Sequence, residues 1–223
     1  NESLCQHFKT KSLKGFGVDG LPNGLVASGA ILHYLGETQH HKLQHITSIQ
    51  RLLEADFVWM DKFTIRNLEL YHSNNSNAVT LIQVIDKTLS PMGGRLLKRW
   101  LALPLKSVAA IKARHDVVQY FYENETALME IQSSLKGVGD LERLISKVAT
   151  AKVSPREVVQ LKNSLEQILP IKVLALDSGH LHLNSLGKQI HDCEALRLKI
   201  KATLNEEAPV NILKGHTIFS SAN

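Results

Sequence analysis

The chain has 223 residues, a formal net charge of +5, 43% apolar residues and only 5% aromatic ones. That length can bury a core, and an apolar set dominated by Leu, Ile, Val and Ala points to helix packing rather than to a β-sandwich. The charge suits a nucleic-acid partner without demanding one, Cys5 and Cys193 form no C-x-x-C pair that would signal zinc or a disulfide framework, and no run approaches ~18 uninterrupted apolar residues, so no membrane partner is expected.

Glycines at 15, 17, 20, 24 and 29 punctuate the first segment. No Lys-Ser/Thr pair follows them, so a phosphate loop is disfavoured, and Asn23 is expected to cap a short helix carrying Ile31, Leu32 and Leu35. Ile46–Gln50 and Phe57–Met60 are β-prone runs joined by Glu54-Ala55-Asp56, which predicts a small antiparallel hairpin. From Asp61, a candidate cap, the pattern turns helical, with a polar break at residues 73–77.

Ser90-Pro91 is a helix start: the hydroxyl caps, and proline loses only an amide that had no partner. The helix that follows puts Leu97, Trp100 and Leu101 on one side and Arg95, Lys98 and Arg99 on the other. Further helices are expected from Ser107, from Asn124 and, after Gly137-Val138-Gly139, from Asp140, where Leu141, Leu144, Ile145 and Val148 form a regular stripe. Ser154-Pro155-Arg156-Glu157 is a capping box opening a helix expected to halt at Pro170. Leu186, Ile190, Cys193, Leu196 and Ile200 then predict one rod over residues 181–204, roughly 30 Å long. Beyond Pro209 an alternating tail, Val210 to Phe219, reads as an opening strand.

The histidines at 40, 41 and 45 and the pair His180-x-His182 lack partners at ligand spacing, and there is no G-x-S-x-G. No catalytic, cofactor-binding or metal residue is therefore assigned. Two readings remain from the residues alone: a helical coupling domain, or a module that grips nucleic acid through the basic face at Arg95, Lys98 and Arg99. An enzyme has no motif to support it.

The strings Asp61-Lys62-Phe63-Thr64-Ile65-Arg66-Asn67-Leu68-Glu69-Leu70, Thr80 to Thr88, Thr88-Leu89-Ser90-Pro91-Met92-Gly93-Gly94-Arg95 through Leu101, and Gly139-Asp140-Leu141-Glu142-Arg143-Leu144 occur here in this order. In that order and spacing they resemble the MutS family of DNA mismatch repair proteins, with Phe16-Gly17 and Ala27-Ser28-Gly29-Ala30 similar to the end of the family's connector domain. The resemblance implies a mainly α fold: the connector's end over residues 1–45, a helical core and lever domain over 46–208, with the 181–204 rod as a lever, and the start of the clamp domain over 209–223. It also implies an interior piece of a cytoplasmic, nucleoid-associated protein. The family's mismatch-inserting Phe-x-Glu motif, and its P-loop ATPase domain with ATP and Mg, are expected elsewhere. Partners implied for the parent are mismatched duplex DNA, a homodimer partner and MutL; those of this piece are the other domains of its own chain. Arg66, Leu97, Trp100, Leu141, Leu144 and Val148 are the candidate coupling residues. Arg95, Lys98 and Arg99 are candidates for DNA or interdomain contacts.

Overall fold

Helices make up almost every element, and several begin where a short polar side chain takes up an otherwise free amide. A computed structural model describes residues 1–38, 43–52, 54–75, 77–207, 209 and 217–218. They divide into two compact units, Asn1–Leu53 with Arg143–Val153, and Glu54–Glu142 with Ser154–Asn223.

In the first unit α1 (Glu2–His7), a 3-10 turn (Leu13–Phe16) and α2 (Pro22–Thr38) enclose Leu4, Leu13, Val18 and Leu25, with Phe8, Phe16, Leu32 and Ile49 packed against them. Ser12 Oγ accepts from the Lys14 amide at 3.2 Å to start the turn. Gly17 ends it at φ +68°, a region that costs other residues about 1 kcal/mol. Helix α2 starts at Pro22, ahead of the expected cap Asn23.

The second unit opens with α3 (Lys62–Asn67), capped by Asp61 Oδ1 accepting from the Thr64 amide at 2.7 Å. The helices α4 (Leu81–Ile85) and α5 (Pro91–Ala102) follow, the latter with Ser90 Oγ accepting from the Gly93 amide at 3.1 Å. Next come α6 (Val108–Glu123) and α7 (Glu125–Gly137). Asn124 turns its amide back to the Tyr120 carbonyl, 2.8 Å away, and so closes α6 instead of capping α7. Helix α8 (Leu141–Ala149) begins in this unit with Leu141 and Glu142, and its later residues belong to the first.

The centre of the second unit is α9 (Pro155–Asp177), 23 residues opened by the Ser154–Glu157 capping box. Helices α7, α10 (Leu181–Gln189) and α11 (Glu194–Thr203) pack along it. Contact is close where glycine permits it: a Cβ on Gly187 of α10 would lie 3.0 Å from Ala175 Cβ and 3.1 Å from Leu176 Cγ. Ser164, 1% exposed, accepts from the Gly139 amide at 3.0 Å. Lys162 is 4% exposed, with its ammonium 3.2 Å from Glu206 and 3.9 Å from Glu166, a pairing that makes the burial of its charge tolerable.

Three further expectations are corrected. The hairpin does not form: Glu54–Asp56 is a 3-10 turn, and Phe57 pairs instead with Leu105, with the Val58 amide 2.7 Å from the Pro104 carbonyl. Residues 46–50 are not strand and lie in the other unit, so the two runs do not share a sheet. Helix α9 runs through Pro170; the lost hydrogen bond costs about 3 kcal/mol in an isolated helix, and packing of three neighbours along α9 offsets it. The 181–204 rod is two helices. His191 Nδ1 accepts from the Cys193 amide at 3.0 Å and Arg197 Nε donates to the Asp192 carbonyl at 2.8 Å, local bonds that displace the helical ladder, and Cys193 stands at φ +48°. Most of the 210–219 tail lies outside the described residues; within them Ile218 bridges to Leu204.

Candidate functional site

The site is built on α5. Its first turn is braced by Asp86, whose Oδ1 accepts from the Thr88 amide at 3.0 Å and the Thr88 hydroxyl at 2.6 Å. These bonds hold the carboxyl below its usual range, helped by the charges of Lys98 and Lys87. Thr88 can lie over the helix start because Gly94 has no side chain; a Cβ there would sit 3.2 Å from Thr88 Oγ1.

One turn on, Arg95 reaches a residue pair far along the chain. Its Nη1 and Nη2 donate to Asp140 Oδ2 and Oδ1 at 2.8 and 2.7 Å, and its Nε and Nη2 donate to Glu142 Oε2 at 2.9 and 2.6 Å. With Asp140 this is the parallel fork that guanidinium and carboxylate form best, while Glu142 takes both donors on one oxygen, and the two acids push the Arg95 pKa up. Asp140 and Glu142 stand just before the chain passes from the second unit into the first. A second tie reaches α5 where the Tyr71 hydroxyl donates to the Lys98 carbonyl at 2.6 Å. Burial raises the pKa of that phenol.

On the apolar side of α5, Trp100 is stacked by Arg114 of α6, with the guanidinium carbon 3.6 Å from the ring centroid. Partial burial lowers the Arg114 pKa. Arg114 is not among the candidates named from the sequence, although the signal is present. Arg114 occupies the helical register of Ile111, Val117 and Phe121, so a cation sits within an apolar stripe.

The candidate residues are not brought together. Leu97 and Leu141 are half-buried and Trp100 is 42% exposed in the second unit, while Leu144 is buried and Val148 42% exposed in the first. Arg66 is exposed and donates to Asn74 Oδ1 at 2.9 Å. Lys98 and Arg99 are exposed. His180 caps α10, its Nδ1 accepting from the Leu183 amide at 3.4 Å, and His182 faces Asp116 at 3.9 Å. Among the described residues no group of three or more His, Cys, Asp or Glu is placed to hold a metal, and no helix is long and apolar enough to cross a membrane; His40 and His41 lie outside them. A Phe-x-Glu string does occur, contrary to expectation, at Phe121-Tyr122-Glu123. It forms the end of α6, with Phe121 half-buried and edge-on to Tyr120 at 5.3 Å.

Residues 63–220 match the family model for MutS domain III, and residues 1–47 that for MutS domain II. The chain is 61% identical over 217 residues to the DNA mismatch repair protein MutS of Flavobacterium psychrophilum, covering 97% of this chain and 25% of that protein. It is 61% identical over 222 residues to the MutS of Flavobacterium johnsoniae, covering 100% of this chain and 26% of that one. Against the MutS of Bacteroides thetaiotaomicron the identity is 49% over 222 residues, with the same coverage. The chain thus spans about a quarter of the length of these relatives.

Proposed function

Because this chain belongs to the MutS family, we propose that it is the non-catalytic core and lever segment through which a mismatch repair protein couples mismatch recognition and DNA clamping to ATP hydrolysis. Residues 1–45 are the end of the connector, 46–208 the core and lever, and 209–223 the start of the clamp. In this reading the full-length protein is a cytoplasmic, nucleoid-associated, DNA-dependent ATPase that binds ATP and Mg in another domain. It pairs with a second copy and recruits MutL.

The observation that carries the reading is the domain III match over residues 63–220. Helix α9 supports it physically. Its 23 residues extend about 35 Å, and packing by α7, α10 and α11 resists bending, so a displacement at one end reaches the other. Arg95 supports it too, since it grips the two acids next to the point where the chain crosses between units. Leu97, Trp100 and Leu141 serve as packing residues in the second unit and Leu144 and Val148 in the first, and Arg66 secures the segment that leads to α4. Direct DNA gripping by the back of α5 is the weaker reading, because two carboxylates already neutralise Arg95 and only Lys98 and Arg99 remain for phosphate.

The test is Arg95→Gln in the full-length protein. Mismatch affinity and DNA-free ATP hydrolysis should persist while the response of hydrolysis to mismatched DNA falls. An unchanged response, or loss of mismatch binding itself, goes against the coupling role.

A further inference from the structure

Where the chain leaves α11, Leu204 bridges to Ile218, the Asn205 amide donates to the Thr217 carbonyl at 3.0 Å, and Glu206 Oε1 lies 3.2 Å from the Lys162 ammonium of α9. The first two contacts join the exit only to a later stretch of the chain, whereas Glu206 ties it to the central helix. The two sides of that ion pair are unlike. The Lys162 side chain is 5% exposed and that of Glu206 70%. A carboxylate so open is already hydrated and loses little if it withdraws. A buried ammonium left without a counter-ion is costly, yet Lys162 has a second acid one turn along its own helix, Glu166 Oε2 at 3.9 Å. That acid stays with α9 whatever the exit does. Lys before Glu at i, i+4 is also the weaker order of such a pair, so Glu166 competes little while Glu206 is in place.

We propose that Lys162 is a latch built to open: paired with Glu206 it fixes the exit of α11 on α9, and passing to Glu166 it frees that exit without stranding a buried charge. The exit leads toward residues 209–223, so the latch sets how firmly the proposed clamp start is joined to the central helix. That consequence rests on the core-and-lever reading. A two-residue bridge is not stable alone in water, so lifting the exit from α9 also opens the bond between Asn205 and Thr217.

Hydrogen exchange of single amides in the full-length protein, free of DNA and nucleotide, tests the latch. The Asn205 amide reports on the exit, and the Gly139 amide, bonded to Ser164 Oγ at 3.0 Å, reports on α9 itself. Glu206→Gln should speed exchange at Asn205 about fivefold, the order that a partly exposed ion pair supplies. Glu166→Gln should slow it, because the open position loses its carboxylate while the closed one keeps Glu206. Gly139 should exchange at the parent rate in both variants. An unchanged Asn205 rate in Glu206→Gln, or one not slowed in Glu166→Gln, overturns the latch. So does faster exchange at Gly139, which would mean that α9 itself had loosened. Since neither DNA nor ATP enters the measurement, a failed latch leaves the Arg95→Gln outcome standing, and a failed coupling role leaves the exchange result standing.

Discussion

Arg95 and Asp140, 45 residues apart, meet through two parallel hydrogen bonds of 2.8 and 2.7 Å, with Glu142 accepting alongside. The pair ties α5 to the first residues of α8 and is solvent-exposed, so salt must weaken it. Arg95→Gln is therefore expected to lower the melting temperature of this chain at low ionic strength, with the difference narrowing as salt is added. Circular dichroism melts of both proteins across a salt series check this. A difference indifferent to salt would show that packing, not charge, holds the junction.

Ser164 is the most buried polar side chain described and takes the Gly139 amide at 3.0 Å. Ser164→Ala leaves that amide without its acceptor in a part-buried place, at a cost of about 1–3 kcal/mol. Urea unfolding should show a lower midpoint with an unchanged slope. A stability equal to the parent's would mean that water replaces the hydroxyl.

At Gly187 two effects oppose one another. Alanine in a helix interior gains about 1 kcal/mol over glycine, yet here its methyl would meet Ala175 Cβ at 3.0 Å. That atom moves only with the α9 backbone, so the clash wins, and overpacking typically costs about 1–3 kcal/mol. Gly187→Val should be worse than Gly187→Ala. Chemical unfolding of both variants settles the sign, and stabilisation by either contradicts the close approach.

Asp86 and Asp61 are both held below the usual carboxylate range, chiefly by hydrogen bonds from Thr88 and Thr64 respectively. A carboxyl with a depressed folded pKa binds protons more tightly when unfolded. Its contribution is present above the unfolded value near 4 and is lost as pH falls through the folded one. Stability should thus decline on acidification below about pH 4, and Asp86→Asn should make that decline shallower. Unfolding midpoints against pH would reveal an unaltered profile if these bonds do not form.

The parts of this fold legible in the sequence are those settled within four residues. Asp61, Ser90 and the Ser154–Glu157 box each start a helix because donor and acceptor are neighbours in the chain. Pro170 and the run through Cys193 misled because distant packing decides them: α9 survives its proline with three helices against it, while α10 and α11 separate despite a continuous apolar pattern. The hairpin failed for the same reason, since Phe57 finds its partner at Leu105, not at residues 46–50. At the site, Arg95 and Trp100 stood out by type and register. Their partners Asp140, Glu142 and Arg114 come from other helices and loops, which periodicity does not address.

The most direct test of the central claim, that this segment couples recognition without performing it, is fluorescence anisotropy of the purified chain with matched and mismatched duplexes at about 150 mM salt, where surface attraction is largely screened. The account predicts weak binding, alike for both duplexes, that changes little when Lys98 and Arg99 are neutralised. Tight binding with a preference for the mismatch would contradict it and place recognition within these helices.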